Sequence, residues 1–251
     1  MGRADASRGR SAYGDSVASD YDALYAGPTL DTSAAVEALA TLAGDGGSVL
    51  EFGLGTGRIA LPLVERGLEV AGIEVSAAMI DRFREKPGSG EIEVVLGDFT
   101  RATAGRHFSV VVLTFNTIFG LPDRDAQIAC FGNAASHLEP GGCFVIEAFV
   151  LRPEQLTGDW SLVPRAVAAD HVELQLARYD TSAHRIERTL VHLGPDGVRL
   201  VPVADVYAWP GELDLMARMA GLRLRSRAGG WQNEPFDASS LKHVSVYEFD
   251  D

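Results

Sequence analysis

Residues 50–57 read Leu-Glu-Phe-Gly-Leu-Gly-Thr-Gly, so Gly53, Gly55 and Gly57 fall at alternate positions directly behind an apolar run. Glycine takes positive φ without steric cost and lets a ligand approach the backbone closely. Where such a turn opens a helix, it also offers unpaired N–H groups to a carboxylate or phosphate. The spacing discriminates between ligands. A dinucleotide fingerprint is G-x-G-x-x-G. Here the third glycine comes one residue early, and Arg58 stands where that fingerprint has glycine. Two acids add to the signal. Glu74 closes a second apolar run, at the strand edge where open α/β sheets bind ligands, and a carboxylate there can accept both hydroxyls of a ribose. Asp98 closes a third run, in Leu96-Gly97-Asp98-Phe99. A carboxylate there can accept from an adenine amino group while the Phe99 ring packs the base. An adenine-reading acid at that place is not expected of a nicotinamide oxidoreductase. The plain alternatives are a helix-start acid at Glu74 and a turn aspartate at Asp98.

These residues need strands and helices to hold them. Asp31 to Ala43 reads as a helix, with Asp31, Thr32 or Ser33 as its cap and Gly44 as its stop. From Ser48 onward buried strands alternate with amphipathic helices. SVLEF is followed by a helix that Gly67 closes, LEVAGIEV by a helix that Ser76 caps, and then come IEVVLGD and FSVVVLTF. Pro122 suits the first turn of the next helix. That helix carries Ile128, Phe131, Ala135 and Leu138 as a stripe, and Glu139-Pro140-Gly141-Gly142 ends it ahead of a fifth strand, CFVIEAFV. Such alternation predicts a parallel sheet with helices on both faces. Beyond Val150 the pattern changes. HVELQLARY, HRIERTLVHL and GVRLVPVADVY read as a small antiparallel sheet, with a turn at Gly194-Pro195-Asp196-Gly197. Val172, Leu174 and Leu176 share one face of it, which must be buried either on the domain's own body or against a second copy of the chain. A helix from Gly211 to Ala220 and the strands LRLRSRA and HVSVYEF follow, with Leu213, Met216 and Met219 assigned to the core.

The set of motifs resembles the class I S-adenosylmethionine-dependent methyltransferases. The resemblance rests on E-x-G-x-G-x-G at Glu51 to Gly57, the acid Glu74, the Gly97-Asp98 pair, and Leu-Glu-Pro-Gly-Gly at 138–142. It covers Tyr13 to Val150, and the last helix and two strands also fit. Within that family it is most similar to bacterial small-molecule enzymes, including amino-deoxysugar N,N-dimethyltransferases. They share the Tyr-Asp-x-x-Tyr start at Tyr21 to Tyr25 and an antiparallel insertion after the fifth strand. The resemblance implies a Rossmann-like α/β fold with a seven-stranded sheet. Its parts would be a lid at residues 1–30, a cofactor core at 31–150, a β insertion at 151–209 and a closing segment at 210–251. S-adenosylmethionine would meet Glu51, Gly53, Gly55, Gly57, Arg58 and Phe115. Glu74 would hold the ribose, Val75 and Met79 would flank the adenine, and Asp98 with Phe99 would bind it. Tyr13, Tyr21 and Tyr25 would lie over the cofactor or substrate, and with Asn116 they are the candidates for a catalytic contact. The fourth strand ends Thr114-Phe115-Asn116-Thr117, without the N/D-P-P-Y/F of enzymes that methylate nucleic-acid bases or protein amides. That departure favours a small-molecule acceptor, an amine or a hydroxyl.

Composition narrows the remaining classes. The 251 residues carry a net charge of −13, which opposes nucleic-acid binding because that partner needs a basic face. No run is long and apolar enough for a membrane span, and MGRADASRGR lacks the apolar stretch of a secretory signal. Cys130 and Cys143 lie in apolar, regular segments as reduced thiols. A cytoplasmic enzyme is the expectation. The six histidines show no metal-ligand spacing, and no G-x-S-x-G supplies a hydrolase nucleophile. Trp160, Trp209 and Trp231 either pack the insertion or line an acceptor pocket. The rival functions are a cofactor-binding regulator or non-methylating enzyme on the same fold and, further off, a nicotinamide oxidoreductase.

Overall fold

The computed structural model describes residues 13–15, 17–24, 31–152, 160–195 and 197–250. The expectations for residues 1–12 and for Tyr25 lie outside these. Five parallel strands form the centre of the main sheet: β1 (Ser48–Phe52), β2 (Glu69–Glu74), β3 (Glu93–Leu96), β4 (Phe108–Leu113) and β5 (Leu138–Phe149). Two more, β10 (Leu222–Ala228) and β11 (Lys242–Phe249), complete the order β10-β11-β5-β4-β1-β2-β3, with β11 antiparallel to both neighbours. The chain order reverses between β1 and β4. In a doubly wound sheet that reversal opens a crevice at the carboxyl ends of the strands.

Both faces are covered at β1, β2 and β4, which is why these strands are almost wholly buried rather than alternating. Val110 and Val112 of β4 pack with α2 (Thr32–Ala43) and α3 (Ala60–Glu65) through Val36, Leu39 and Leu63. Val111 and Leu113 point the other way, into a cluster with Phe131 of α5 (Arg124–Ser136) and Leu213 of α6 (Pro210–Met219). Helix α4 (Ala77–Arg84) buries Met79 and Phe83. Cys130 and Cys143 are both buried and unpaired in disulfides.

The helix caps at Asp31 and Ser76 form as expected: each side chain accepts an N–H from the first turn. Around α5 the outcome differs. Pro122 lies before the N-cap Asp123, not inside the helix. The buried stripe is Gln127, Cys130, Phe131 and Ala134, one step round from the expected one, because the helix ends at Ser136 and Leu138 belongs to β5. The Glu139–Gly142 segment bulges out of the β4–β5 ladder between the Phe108↔Leu138 and Val110↔Cys143 pairs, so it interrupts a strand rather than separating helix from strand. Met219 is exposed, unlike Leu213 and Met216.

The insertion has four strands in meander order, not three: β6 (Trp160–Val167), β7 (Val172–Asp180), β8 (Arg185–Gly194) and β9 (Gly197–Val206). Of the two covers expected for the Val172, Leu174 and Leu176 face, the domain's own body is not the one used. Ala177, Ile186 and Tyr179 join the main cluster, while Leu190 and Val201 pack with Val17, Ala18 and Met79. Val172, Leu174 and Leu176 lie on the opposite side and pack in none of the clusters among the described residues.

Candidate active site

The loop after β1 carries three left-handed glycines, with φ of 69° at Gly53, 58° at Gly55 and 83° at Gly57. Gly57 is also sterically closed: a Cβ there would lie 2.5 Å from the Phe83 ring. Gly55 N–H donates to Glu74 Oε2 at 2.8 Å, and Val75 and Ser76 N–H both donate to Oε1 at 2.9 Å. Glu74 thus ties the glycine loop to the end of β2, and it still has lone pairs to offer. Burial pushes its carboxyl up, against the three N–H groups that favour ionisation.

Glu51 is 3% exposed at the end of β1, and its Oε2 has no hydrogen-bond partner. Burial pushes its carboxyl up to about 8, opposed in part by the Arg58 charge. Arg58 is held by the Thr32 hydroxyl at 2.9 Å and lies 5.6 Å from the centroid of the Phe115 ring. A buried carboxylate oxygen without a donor is costly unless a ligand supplies one. At the end of β3, Asp98 Oδ1 accepts from the N–H and hydroxyl of Thr100, which closes a turn, and Oδ2 lies 3.8 Å from the Arg101 guanidinium. Phe99 lies directly behind Asp98 and reaches into the core. Its ring stacks on Phe52 at 5.5 Å and 17° inside the main cluster, so its face is spent on the core.

The segment from Tyr13 to α1 (Tyr21–Leu24) is docked onto these loops. Asp15 accepts from the Ser76 hydroxyl at 2.6 Å, and Asp22 accepts from the Thr56 hydroxyl at 2.6 Å. Lys86 pairs with Asp22 at 2.6 Å and donates to the Thr56 carbonyl at 2.8 Å. Burial alone would raise the Asp22 carboxyl, but Lys86 and Thr56 hold it below its ordinary value. Asp20 pairs with Arg199 of β9, which joins the segment to the insertion. Tyr13 and Tyr21 pack against the Val17, Ala18, Met79 and Val201 cluster.

Past β4, Phe115 and Asn116 are consecutively left-handed, with φ of 54° and 64°. Non-glycine residues rarely adopt this conformation, though Asn tolerates it. The bend is braced by β5. Glu147 Oε2 accepts from Phe115 N–H at 3.1 Å, and Asn116 Oδ1 accepts from Phe149 N–H at 2.6 Å. Lys242 holds the other Glu147 oxygen at 3.1 Å. Asn116, a catalytic candidate by sequence, therefore spends its carbonyl on backbone. Glu147 was missed, although an acid inside the apolar run CFVIEAFV must find a partner and is a legible signal. Among the other candidates, His137 satisfies Ala104 N–H and Asn133 carbonyl, and Trp231 packs in the α2–α3 cluster far from the insertion. Among the described residues no group of His, Cys, Asp and Glu could hold a metal ion, and no helix is long and apolar enough to cross a membrane.

The glycine loop, the acids at successive strand ends and the reversed sheet order are the features of an α/β fold that takes a ligand at the carboxyl ends of its strands. The methyltransferase domain family matches residues 49–142. The chain is similar to the CcbJ methyltransferase from Streptomyces caelestis, with 38% identity over 95% of this chain and 98% of that one and a TM-score of 0.89. It is 28% identical over 205 residues to a cypemycin N-terminal methyltransferase from Streptomyces sp, covering 81% of this chain and 84% of that protein. It is also 28% identical over 196 residues to a dTDP-3-amino-3,6-dideoxy-alpha-D-glucopyranose N,N-dimethyltransferase from Streptomyces fradiae, covering 73% of each. The chain belongs to the S-adenosylmethionine-dependent methyltransferases. It is a transferase of methyl groups and uses S-adenosylmethionine as its donor.

Proposed function

We propose that this enzyme methylates an amino group of a small molecule, with the donor held at the carboxyl ends of β1, β2 and β3. The observation that carries this reading is the pair of buried carboxylates on one glycine loop, Glu51 with an unpartnered oxygen and Glu74 with lone pairs to spare. They fit the two polar ends of the donor. Glu51 accepts the ammonium of its methionine part, and Glu74 accepts the ribose hydroxyls while it keeps the loop closed. Val75 and Met79 flank the adenine, and the second oxygen of Asp98 accepts from its amino group.

When bound, the donor supplies an electrophilic methyl on a sulfonium sulfur. The chain's work is then placement. The acceptor lone pair must lie in line with the bond to the departing sulfur, an arrangement that effective molarities of about 10⁵–10⁸ M make sufficient. The new nitrogen–carbon bond forms as the carbon–sulfur bond breaks, and the surplus proton on nitrogen leaves to water. A hydroxyl acceptor would need a general base as well. Tyr13 and Tyr21 sit on a docked segment that excludes water from the reacting centre. Phe115, turned by its left-handed backbone, walls the acceptor side, and the inner face of the insertion roofs it and sets acceptor preference. The amine assignment draws on the relatives named for N-methylation. The charge of −13 and the closed site suit a small acceptor rather than a nucleic acid.

The test is incubation with isotopically methyl-labelled S-adenosylmethionine and matched acceptors that carry an amine or a hydroxyl at the same position. The label should appear on nitrogen. Label on oxygen alone would overturn the amine assignment. Tight calorimetric binding of NADH in place of S-adenosylhomocysteine would overturn the site assignment.

A further inference from the structure

The insertion turns its apolar side chains away from the rest of the molecule. In β7 the outward residues are Val172, Leu174 and Leu176, while Glu173, Gln175 and Ala177 face the body. The same parity carries across the ladder to Leu162 and Trp160 of β6, and through Val191↔Leu200 and Leu193↔Val198 to β9. A sheet that buries one face on its own domain alternates the other way, apolar in and polar out. The outward side chains are open: Trp160 is 68% exposed, Leu162 63%, Val198 67% and Leu200 61%. The inward face is already engaged, by Ala177 and Ile186 at the main cluster, by Val201 at Met79 and by the Arg199–Asp20 pair.

We infer that this outer face is covered by a second copy of the same chain, sheet packed on sheet about a twofold axis. Two features select that occupant. The first is charge. The whole chain carries −13, so two copies can meet only where neither presents net negative charge. The charged residues of this face, Arg178, Asp180, Arg185 and Glu187, lie at one end and sum to zero, with Glu187 paired to Arg178 at 2.9 Å and to Arg185 at 3.4 Å. A face without net charge opposes itself without repulsion, as an isologous contact requires. The second is area. Four strands of up to ten residues make a face of roughly 19 by 33 Å, about 600 Å² in projection. That projection approaches the roughly 800 Å² that each partner gives to a stable dimer. This inference goes beyond the methyl-transfer reading and does not depend on it.

Sedimentation equilibrium at micromolar concentration tests it, on the full chain and on three variants. Leu176→Glu places a charge at the centre of the face and Leu200→Glu one on its β9 edge. Met219→Glu places one on α6, at a residue 69% exposed and outside the face. Far-UV circular dichroism checks that each variant is folded, and either face variant suffices if the other fails that check. The wild type and Met219→Glu should sediment at twice the 26.8 kDa chain mass, and the face variants at the single-chain mass. A monomeric wild type, or face variants that remain dimeric, would overturn the inference.

Discussion

In the seven-stranded sheet all five residues of β1 are buried, and β4 sends alternate valines into opposite helix layers. In the insertion β7 buries one residue of nine, Ala177, and leaves its aliphatic row outside. The two sheets differ because they are covered differently. A parallel sheet is closed on both sides by its own crossover helices, so its strand ends are held by packing from both faces. The insertion has one face on the body, and that face is mixed: Arg188 with buried Asp205, His192 with Glu173, Leu190 with Val201. The first sheet supplies a rigid cofactor frame. The second supplies a varied surface, which under the proposed reading is where acceptor preference can change without disturbing the frame.

That contrast can be broken hardest at the rigid end. Gly57→Ala combines a left-handed backbone at φ 83° with a Cβ 2.5 Å from the Phe83 ring. Strain and overpacking together should cost about 2–5 kcal/mol. Thermal denaturation should show a midpoint lower by roughly 10 °C, and an unchanged midpoint would mean that the loop is not locked. An intermediate effect is expected at Glu51, whose carboxyl burial raises to about 8. In the free protein at neutral pH it carries a proton, which must leave when a cationic group is placed beside it. Affinity for S-adenosylhomocysteine should therefore climb with pH, at most about tenfold per unit, and level off above about pH 8. Calorimetry across that range checks it, and Glu51→Gln should flatten the slope. A slope that survives in Glu51→Gln would place the titration elsewhere. The smallest effect belongs to the docked segment. Asp22→Asn weakens a partly exposed pair with Lys86, where such pairs are worth about 0.2–1 kcal/mol. The KM for the donor should rise about twofold to fivefold, with no change in melting temperature.

The same contrast explains what could be read from the sequence. β1 to β5, the glycine turn and the acids at strand ends were legible because continuous apolar runs, turn glycines and caps are local signals. β6 was missed because Pro164 interrupts it. Proline is tolerated there because β6 is an edge strand with an irregularity between Pro164 and Ala166. The direction in which the insertion faces was not legible either, since alternation gives two faces without saying which one meets the body. The ties that shape the site join residues far apart in sequence, Glu147 with Lys242 and Asp20 with Arg199. The stack of Phe99 on Phe52 is likewise invisible in the sequence, because the two rings are brought together from different strands.

In the proposed site the donor lies across the ends of β1, β2 and β3, with Glu74 on its ribose. Calorimetry with S-adenosylhomocysteine on the wild type and on Glu74→Ala tests it most directly. Removing a charged acceptor, at about 1.5–3 kcal/mol for such a hydrogen bond, should weaken binding roughly tenfold to a hundredfold. An unchanged dissociation constant in a folded Glu74→Ala protein would contradict the account.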